Sequence, residues 1–365
     1  MHKKTTEILS KMRTSIQNGK FSDVSFLPAE RELCLQYGLS RGALRGILEI
    51  LEGENLLRRI PGRGMKVLSP YERLAPHKFL LVLPNRSMHA NEVAELLRGT
   101  AMAAEENNAE VVLFFQRKDM DGARLLGRLA ENQWSGVIIY EQVPDDLLKN
   151  LQAGGYRYCI ANSEEASDTP AVRVDFRAVG RLAGHYLMEH GLRHIGFIGG
   201  CPPKDFHYRE MLAGLKGALA EEDLQLEKRL VFQCPVNASA NVPQIAAALE
   251  KMAGRRCAIF AGRDRCAAPI YEACRLAELR IPEDVAVLGY DGLSWPDASG
   301  KGLTSIRQPA IETGQMPVLL LCQAVEQGTS LPPLTLVPPG EILERSSVSI
   351  PTSQKRDGTK MDEQD

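Results

Sequence analysis

The 365-residue sequence predicts an α/β protein with a small winged helix-turn-helix domain, followed by a larger region that holds two parallel sheets. Three observations lead to this fold class. Residues 1–70 contain three helical patterns and then a hairpin pattern. From residue 79 onward, apolar runs alternate with amphipathic stretches, which is typical of strands joined by helices in a parallel sheet. The alternation continues for more than 250 residues, which favours two sheets over one.

The charge distribution separates the same two regions. The whole chain has a formal charge of −2, which taken alone argues against a nucleic-acid-binding protein. Residues 1–70, however, carry twelve Lys or Arg and seven Asp or Glu, giving +5, and the other 295 residues carry −7. A basic N-terminal segment suits contacts to phosphates.

The N-terminal elements follow from local patterns. Residues 5–18 place apolar side chains on one helical face, and residues 28–37 begin with Pro and acidic residues, as helix N-termini often do. Ser40 is a good N-cap for a third helix that runs to about residue 54. The short Gly-containing turn between the second and third helices is typical of a helix-turn-helix. Residues 56–68 then predict two short strands around a turn, which completes a winged helix.

The remaining chain divides into a linker, a large domain and a tail. We expect the winged-helix domain to span residues 1–68, a proline-containing linker 69–78, the large domain 79–348 and a disordered polar tail 349–365. The predicted strands of the large domain are Phe79–Pro84, Glu110–Phe115, Gly136–Tyr140, Tyr158–Ala161, His194–Ile198, Arg229–Phe232, Cys257–Ala261 and Val285–Tyr290.

Other classes of protein find little support in the sequence. The eight cysteines form no CxxC pair, and no apolar segment is long enough for a membrane span or a secretion signal, so we expect a soluble cytoplasmic protein. No nucleophile elbow, phosphate-binding loop, HExxH or GxGxxG motif is present, so we expect no enzymatic activity and no cofactor. We interpret His185, His190 and His194 as surface or core residues and expect no metal site.

The N-terminal region resembles the winged-helix domain of the GntR family. The resemblance rests on Leu27-Pro-Ala-Glu-Arg-Glu-Leu, Tyr37-Gly-Leu-Ser-Arg-Gly-Ala-Leu-Arg and Gly62-Arg-Gly. It implies that a helix enters the DNA major groove with Arg41 and Arg45 on one face, and that the wing tip approaches the minor groove. The alternative is a solvated helix face without a role in binding. The implied DNA-binding residues are Arg31, Ser40, Arg41, Gly42, Ala43, Arg45, Gly62, Arg63 and Gly64.

Gly42 and Ala43 depart from that family, which often has hydroxyl residues there. Two phosphate hydrogen bonds are thereby lost. Arg58 and Arg59 fit a DNA contact and a solvated face equally well.

Residues 78–345 resemble the effector-binding domain of the LacI/GalR family, a relative of two-lobed periplasmic sugar-binding proteins. The motifs are Val174-Asp-Phe-Arg-Ala-Val-Gly-Arg, Ile281-Pro-Glu-Asp-Val-Ala-Val-Leu-Gly-Tyr-Asp and Leu303-Thr-Ser-Ile-Arg-Gln-Pro. We expect an N-lobe of about 79–172 plus 304–322 and a C-lobe of about 173–303 plus 323–348. A GntR-type head on such a body is similar to the arrangement of arabinose-repressor-type regulators.

In two-lobed α/β binders the ligand lies between the lobes, at the carboxyl ends of the strands. The resemblance implies that Asp291 accepts hydroxyl hydrogens there, and Arg263 stands where the family commonly has Asn. The family's Arg precedes a Gly by three residues, where this chain has Met211, so either Arg209 takes that role or the contact is missing. The candidate effector-binding residues are Asn91, Tyr140, Glu141, Arg209, Phe232, Arg263, Asp291 and Gln308.

Three of these interpretations have structural alternatives. Phe232 either supplies an apolar face for a sugar ring or belongs to the core. For Asp264 and Asp175 we favour a helix-capping role over ligand binding.

Together the two resemblances imply a ligand-responsive transcriptional regulator of the repressor type. The expected partners are a palindromic double-stranded DNA operator, a second copy of the chain in a homodimer, and a small effector, most naturally a sugar. The alternatives are a soluble sugar-binding protein whose head contacts other proteins, and a sugar-modifying enzyme.

Overall fold

The structure is a computed structural model that describes most of the chain. The described residues are 3–18, 26–54, 56–60, 64–68, 77–84, 90–116, 122–131, 134–140, 145–162, 169–200, 205–234, 241–293 and 302–349. Much of the expected linker and nearly all of the expected tail therefore lie outside the described residues.

The N-terminal domain is a winged helix, as predicted. Its helices are α1 (Lys3–Gln17), α2 (Glu30–Tyr37) and α3 (Arg41–Gly53), and its antiparallel strands are β1 (Leu57–Ile60) and β2 (Gly64–Val67). Gly38 ends α2 with φ +58°, a left-handed conformation that favours glycine, and this allows the tight turn into α3. The Ser40 hydroxyl caps α3 by accepting a bond from the Ala43 amide at 3.3 Å. One face of α3 is fully buried and forms the centre of the small core through Leu44, Ile47, Leu48 and Leu51.

The first lobe of the large domain contains a six-stranded parallel sheet in the order β13-β7-β6-β5-β3-β4. Its strands are β3 (His77–Pro84), β4 (Ala109–Gln116), β5 (Gly136–Tyr140), β6 (Tyr158–Ala161), β7 (Ala171–Val174) and β13 (Leu334–Val337). Its helices are α4 (Ala90–Glu106), α5 (Gly122–Glu131), α6 (Asp145–Ala153) and α11 (Ala310–Gln327). Apolar cores lie on both faces of this sheet, so its strands are apolar almost throughout.

The second lobe contains a six-stranded sheet in the order β14-β12-β11-β10-β8-β9, parallel except for β14. Its strands are β8 (His194–Gly199), β9 (Val231–Gln233), β10 (Cys257–Ala261), β11 (Val285–Asp291), β12 (Thr304–Arg307) and β14 (Ile342–Leu343). Its helices are α7 (Phe176–Glu189), α8 (Phe206–Glu221), α9 (Val242–Glu250) and α10 (Ala268–Leu276). It too has cores on both faces.

The structure divides the C-terminal part between the lobes differently from our expectation. We placed 304–322 in the N-lobe and 323–348 in the C-lobe. Strand β12 instead pairs with β11 in the C-lobe, whereas β13 pairs with β7 in the N-lobe. The chain crosses between the lobes after Val174, after Arg307 and again after Val337. The lobe that a late strand joins depends on the sheet strand with which it pairs, and local sequence patterns do not specify that pairing.

Glycines allow one close helix pair in each lobe. A Cβ on Gly314 of α11 would lie 2.1 Å from the Leu96 carbonyl oxygen of α4. In the C-lobe, a Cβ on Gly180 of α7 would lie 1.9 Å from the Met211 carbonyl oxygen of α8. Both helix pairs therefore pack backbone against backbone. This close packing sets the positions of the first residues of α4 and α8 relative to the carboxyl ends of the strands.

Candidate functional site

Helix α3 presents Arg41 and Arg45 to solvent. Arg41 and Arg45 lie one turn apart on an exposed side of α3, beside its buried face. The Arg45 Nε donates to the Glu30 carboxylate at 3.1 Å, and the Arg59 guanidinium lies 3.9 Å from the same carboxylate. The Arg45 side chain remains 62% exposed, and a guanidinium can form a bidentate pair with a base edge or a phosphate.

The other predicted DNA-binding residues surround these arginines. Arg31 is exposed on α2, and Gly42 is exposed, with no atom near the position of a Cβ. Gly64 opens β2 with φ +102°, so the wing strand begins in a conformation that favours glycine. Gly62 and Arg63 lie outside the described residues.

In the large domain, Arg263 and Asp291 form a buried ion pair at the carboxyl ends of β10 and β11. An Arg263 Nη1–Asp291 Oδ1 distance of 2.7 Å joins them, and their side chains are only 18% and 11% exposed. The second carboxylate oxygen of Asp291 accepts a bond from the Asp264 amide at 3.1 Å. Burial lowers the pKa of Arg263, but the charge and hydrogen bond of Asp291, together with the influence of Tyr290 and Glu92, outweigh burial, so the pKa is raised overall. The guanidinium therefore stays charged inside the domain.

Gln308 connects this ion pair to the other lobe. Its Oε1 accepts from Arg263 Nη1 at 3.5 Å, while its Nε2 donates to Glu92 Oε1 at 2.8 Å. Glu92 lies near the start of α4 in the N-lobe and also accepts a bond from the Tyr140 hydroxyl at 3.4 Å. That hydroxyl accepts in turn from the Asn162 amide at 3.3 Å. We call these six residues, Asn162, Tyr140, Glu92, Gln308, Arg263 and Asp291, the cross-lobe network.

A cavity of about 400 Å³ lies beside the cross-lobe network. Its walls include Glu92 and Glu95 from the N-lobe, and Asp291 and Arg307 from the C-lobe. Arg307 is engaged by Glu312 at 2.6 Å. A cavity of this volume, lined by a few convergent polar groups, is typical of small-molecule sites.

A second group of side chains lies at the lobe boundary. The Arg173 guanidinium, at the end of β7, lies 4.6 Å from the centre of the Phe206 ring, and the Arg209 guanidinium lies 5.1 Å from the same ring. His207 packs on Phe176 with a ring-centre distance of 4.3 Å. Burial, followed by the charges of Arg263 and Arg173, lowers the pKa of His207 to about 4, so this imidazole is neutral. We call Arg173, Phe206, His207 and Arg209 the Phe206 cluster.

The structure corrects the capping role that we favoured for Asp264. Its carboxylate caps no helix; it accepts bonds from the Ser305 hydroxyl at 2.6 Å and the Leu293 amide at 2.7 Å. Burial raises the pKa of Asp264 to about 6. Asp264 thus ties the segment after β11 to β12. Asp175 does cap a helix, as predicted, accepting from the Ala178 amide at 2.9 Å.

Of the eight candidate effector-binding residues, the structure brings four together in the cross-lobe network: Tyr140, Arg263, Asp291 and Gln308. Phe232 is not among them, because it packs on the core formed by α9, β8 and β10, the alternative we had left open. Met211 is buried in the other core of the C-lobe, so the position three residues before Gly214 offers no polar contact. Glu141 lies outside the described residues. Asn91 lies in α4, but its side chain is likewise not described.

Sequence reasoning missed several site residues: Glu92, Asn162, Arg173, Phe206 and His207. Asn162 follows β6 directly and has φ +57°, so the strand-end rule was a usable signal for it. Glu92 and His207 lie in the first turns of helices, where polar residues are common for other reasons. Only the packing of one lobe against the other shows that they face the site.

The described part of the chain gives no sign of a metal site or a membrane segment. No group of three or more His, Cys, Asp or Glu suited to a metal ion occurs among the described residues. His185 pairs with Glu221 at 2.9 Å, and the His190 ring bonds the Tyr186 carbonyl at 2.8 Å. No helix in the described ranges has the length and apolarity that crossing a membrane requires.

Comparison with known proteins matches both regions of the chain. Residues 4–67 match the family described as bacterial regulatory proteins, gntR family, and residues 184–348 match the periplasmic binding protein-like domain. Among curated proteins, the chain is 29% identical over 262 residues to the HTH-type transcriptional regulator CelR of Thermobifida fusca, covering 70% of this chain and 75% of that protein. It is 23% identical over 239 residues to catabolite control protein A of Priestia megaterium, covering 65% and 72%.

Solved structures support the same fold. A regulatory protein of the LacI family from Chloroflexus aggregans superposes with a TM-score of 0.60 at 20% identity, covering 74% of this chain and 98% of that one. A transcriptional regulator CelR–cellobiose complex superposes with a TM-score of 0.57 at 23% identity, covering 88% and 100%. At these identities the likeness establishes the fold alone. The chain thus combines a GntR-type helix-turn-helix domain with a periplasmic-binding-protein-like domain, and its homologues are regulators of the LacI family.

Proposed function

We propose that this protein is a DNA-binding transcriptional regulator, of the repressor type, whose operator affinity is controlled by a sugar bound between the two lobes. The observation that carries the proposal is the hydrogen bond from Gln308 to Glu92, which links the lobes beside a buried ion pair and a cavity of about 400 Å³. A regulator needs a DNA-reading surface and a ligand-sensitive element in one chain. The winged helix and the cross-lobe network meet these two requirements.

The winged helix supports DNA binding through α3. Arg41 and Arg45 are exposed on one side of the helix, and a neighbouring side of the same helix is anchored in the core. A helix of this kind fits the major groove, where arginine recognises guanine through a bidentate pair. Arg31, Ser40, Gly42 and Ala43 belong to the same proposed surface, as do wing residues Gly62, Arg63 and Gly64.

The cross-lobe network supports ligand control. Sugar hydroxyls both donate and accept hydrogen bonds, and Asp291, Arg263 and Gln308 supply matching acceptors and donors. A sugar that binds Gln308 or Glu92 replaces or reinforces the bond that joins the lobes. Ligand binding then changes the equilibrium between open and closed lobes, and through it the spacing of the two heads on DNA.

We expect a homodimer on a palindromic operator, because two heads related by a two-fold axis match two half-sites related in the same way. The lac repressor, one of the structural neighbours, is described as a dimer bound to operator. A DNA partner implies a cytoplasmic location. The proposal includes no catalytic step and no cofactor.

The DNA-binding half is tested by measuring affinity for operator duplexes at several salt concentrations. If six phosphates are contacted, affinity falls about 10³-fold between about 50 and about 200 mM salt. Arg45→Ala should weaken specific binding by about 1–3 kcal/mol. Arg275→Ala, which removes an exposed arginine paired with Glu272 in the C-lobe, is the matched control and should leave affinity unchanged.

Absence of duplex binding, or binding that does not respond to salt, would contradict the regulator and favour a sugar-binding protein whose head contacts other proteins. Equal operator affinity of Arg45→Ala and the wild type would contradict the assignment of α3 as recognition helix. Conversion of a bound sugar into a product would instead favour a sugar-modifying enzyme.

The ligand half is tested by thermal unfolding of the full chain with a panel of sugars. A ligand present at about 100 times its Kd stabilises the folded state by about 2.7 kcal/mol. Gln308→Leu should reduce the stabilisation and weaken the effect of the sugar on operator affinity. A sugar that stabilises Gln308→Leu as strongly as the wild type would contradict the proposed site.

A further inference from the structure

Arg173 reaches from one lobe onto the other. It is the penultimate residue of β7 in the N-lobe sheet, yet its guanidinium lies 4.6 Å from the ring of Phe206, the first residue of α8 in the C-lobe. Arg209, one turn along α8, approaches the same ring at 5.1 Å. Phe206 is therefore flanked by two cations at the boundary between the lobes.

Among the described residues, no carboxylate forms an ion pair with Arg173. The residue is half-buried, and no side-chain hydrogen bond or ion pair joins it to another described residue. The two carboxylates that act on it from a distance, Glu210 and Asp175, are engaged elsewhere. Glu210 accepts from Arg177 at 3.0 Å, and Asp175 caps α7. Burial lowers the pKa of Arg173, as expected for a desolvated cation.

Neutral His207 is linked electrostatically to both Arg263 and Arg173. Its imidazole responds to the charges of both Arg263 and Arg173, so it lies near each of them. Arg263 is already paired with Asp291, whereas Arg173 has no ion-pair partner in the part of the chain that the structure describes. The paired guanidinium of Arg263 and the guanidinium of Arg173 thus both act on the same buried imidazole.

Resting on the function proposed above, we propose that the effector is an acidic sugar whose anionic group, a carboxylate or a phosphate, binds at Arg173 and Arg209. The guanidinium of arginine forms two parallel hydrogen bonds with either anion. Arg173 carries the inference, and Arg209 supplies a second contact across the Phe206 ring. The hydroxyls of the same molecule bind Asp291, Arg263 and Gln308. A neutral sugar would bind these three residues in the same way.

The first test uses inorganic phosphate as the probe, so it does not depend on the identity of the sugar. Phosphate binding by the full chain is measured by calorimetry at constant ionic strength, for the wild type and for Arg173→Gln. We expect the wild type to bind phosphate and the variant to bind it at least about tenfold more weakly, because a charge-assisted bond is lost. Arg181→Gln is the matched control, because Arg181 is an arginine of α7 that pairs with Glu221 at 2.7 Å; it should bind phosphate as the wild type does.

The second test compares a neutral sugar with its acidic derivatives, such as glucose with glucuronate and glucose 6-phosphate, by thermal unfolding. We expect stabilisation by the acidic members to exceed that by the neutral sugar, and Arg173→Gln to abolish the difference. A preference for glucuronate identifies a carboxylate, and a preference for glucose 6-phosphate identifies a phosphate.

Arg173→Lys retains the positive charge but lacks the planar guanidinium that forms two parallel hydrogen bonds, and it should give intermediate affinity. If Arg173→Gln does not fold, Arg173→Lys and Arg209→Gln replace it, and both should weaken anion binding.

Equal phosphate affinity in wild type and Arg173→Gln overturns the inference, as does a wild type that binds no phosphate. A neutral sugar that releases or recruits DNA, with no gain from an added anionic group, also overturns it but leaves the proposed regulator intact. Loss of duplex binding would contradict the regulator and not the anion site.

Discussion

The ion pair between Arg263 and Asp291 permits a quantitative test of the cleft. Asp291→Asn keeps the shape of the side chain and removes its charge. The Arg263 guanidinium, which lies 2.7 Å from the carboxylate and is 18% exposed, then remains in the interior without a counter-charge. The substitution also weakens the acceptor for the Asp264 amide.

The expected loss of stability follows from this burial. Breaking a buried ion pair by removing one partner destabilises a protein by about 3–5 kcal/mol, because an uncompensated charge remains. An exposed ion pair contributes only about 0–1 kcal/mol. The same lobe contains such a pair, Arg280 with Asp284 at 3.0 Å, in which the arginine is 71% exposed. Asp284→Asn is therefore the matched control.

The assay is urea unfolding of both variants and the wild type, followed by circular dichroism at neutral pH. We expect Asp291→Asn to lower the free energy of unfolding by about 3 kcal/mol or more, and Asp284→Asn by about 1 kcal/mol or less. Adding Arg263→Met to Asp291→Asn removes the isolated charge and should recover part of the loss. Equal losses in Asp291→Asn and Asp284→Asn, or a double variant no more stable than Asp291→Asn, would refute the reasoning.

Three further predictions concern packing, pH and capping. Gly314→Ala should destabilise the protein by about 3 kcal/mol, because the new Cβ would lie 2.1 Å from the Leu96 carbonyl oxygen. The control, Gly127→Ala on an open helix surface, should raise the free energy of unfolding by about 0.5–1 kcal/mol. Equal melting temperatures of the two variants would contradict this reasoning. The pKa of His207 falls from 6.5 to about 4 on folding, so His207 of the unfolded chain takes up a proton at higher pH than His207 of the folded chain. Protonation of the unfolded chain therefore lowers the free energy of unfolding as the pH falls from about 6.5 to about 4. Urea unfolding measures the free energy of unfolding at about pH 7.5 and about pH 4.5. The loss between these two pH values should be about 2–3 kcal/mol smaller in His207→Phe than in the wild type, and an equal loss would count against a buried neutral imidazole. Ser40→Ala should raise amide exchange in α3 by removing a cap bond worth about 1 kcal/mol, while Ser40→Gly should have a smaller effect; equal exchange in both would argue against the cap.

The winged helix was predictable almost entirely, because its determinants are local. Gly38 and Ser40 end one helix and start the next, and the apolar spacing of α3 defines its buried face. The strands of the large domain were predictable for a similar reason, since strands covered on both faces appear as continuous apolar runs. Two of the strands that sequence patterns missed, β13 and β14, are short and lie at sheet edges, where half-exposed residues leave no clear pattern.

The cleft was only partly predictable. Asp291 is the last residue of β11 and Gln308 directly follows β12, so the strand-end rule and the family resemblance identify them. Glu92 and His207 carry no such signal, because they reach the site from the first turns of α4 and α8. For Phe232 the sequence left two interpretations open, and in the structure its ring packs against the core.

The sequence by itself determined the fold class, the basic head and the acidic body, because helix caps, apolar periodicity and charge are properties of short segments. The tertiary structure alone decided which lobe each late strand joins and which polar groups meet in the cleft. Three crossings between the lobes bring residues as far apart in the chain as Glu92 and Gln308 within 2.8 Å. Such a contact depends on the relative placement of two folded lobes, and no local pattern specifies that placement.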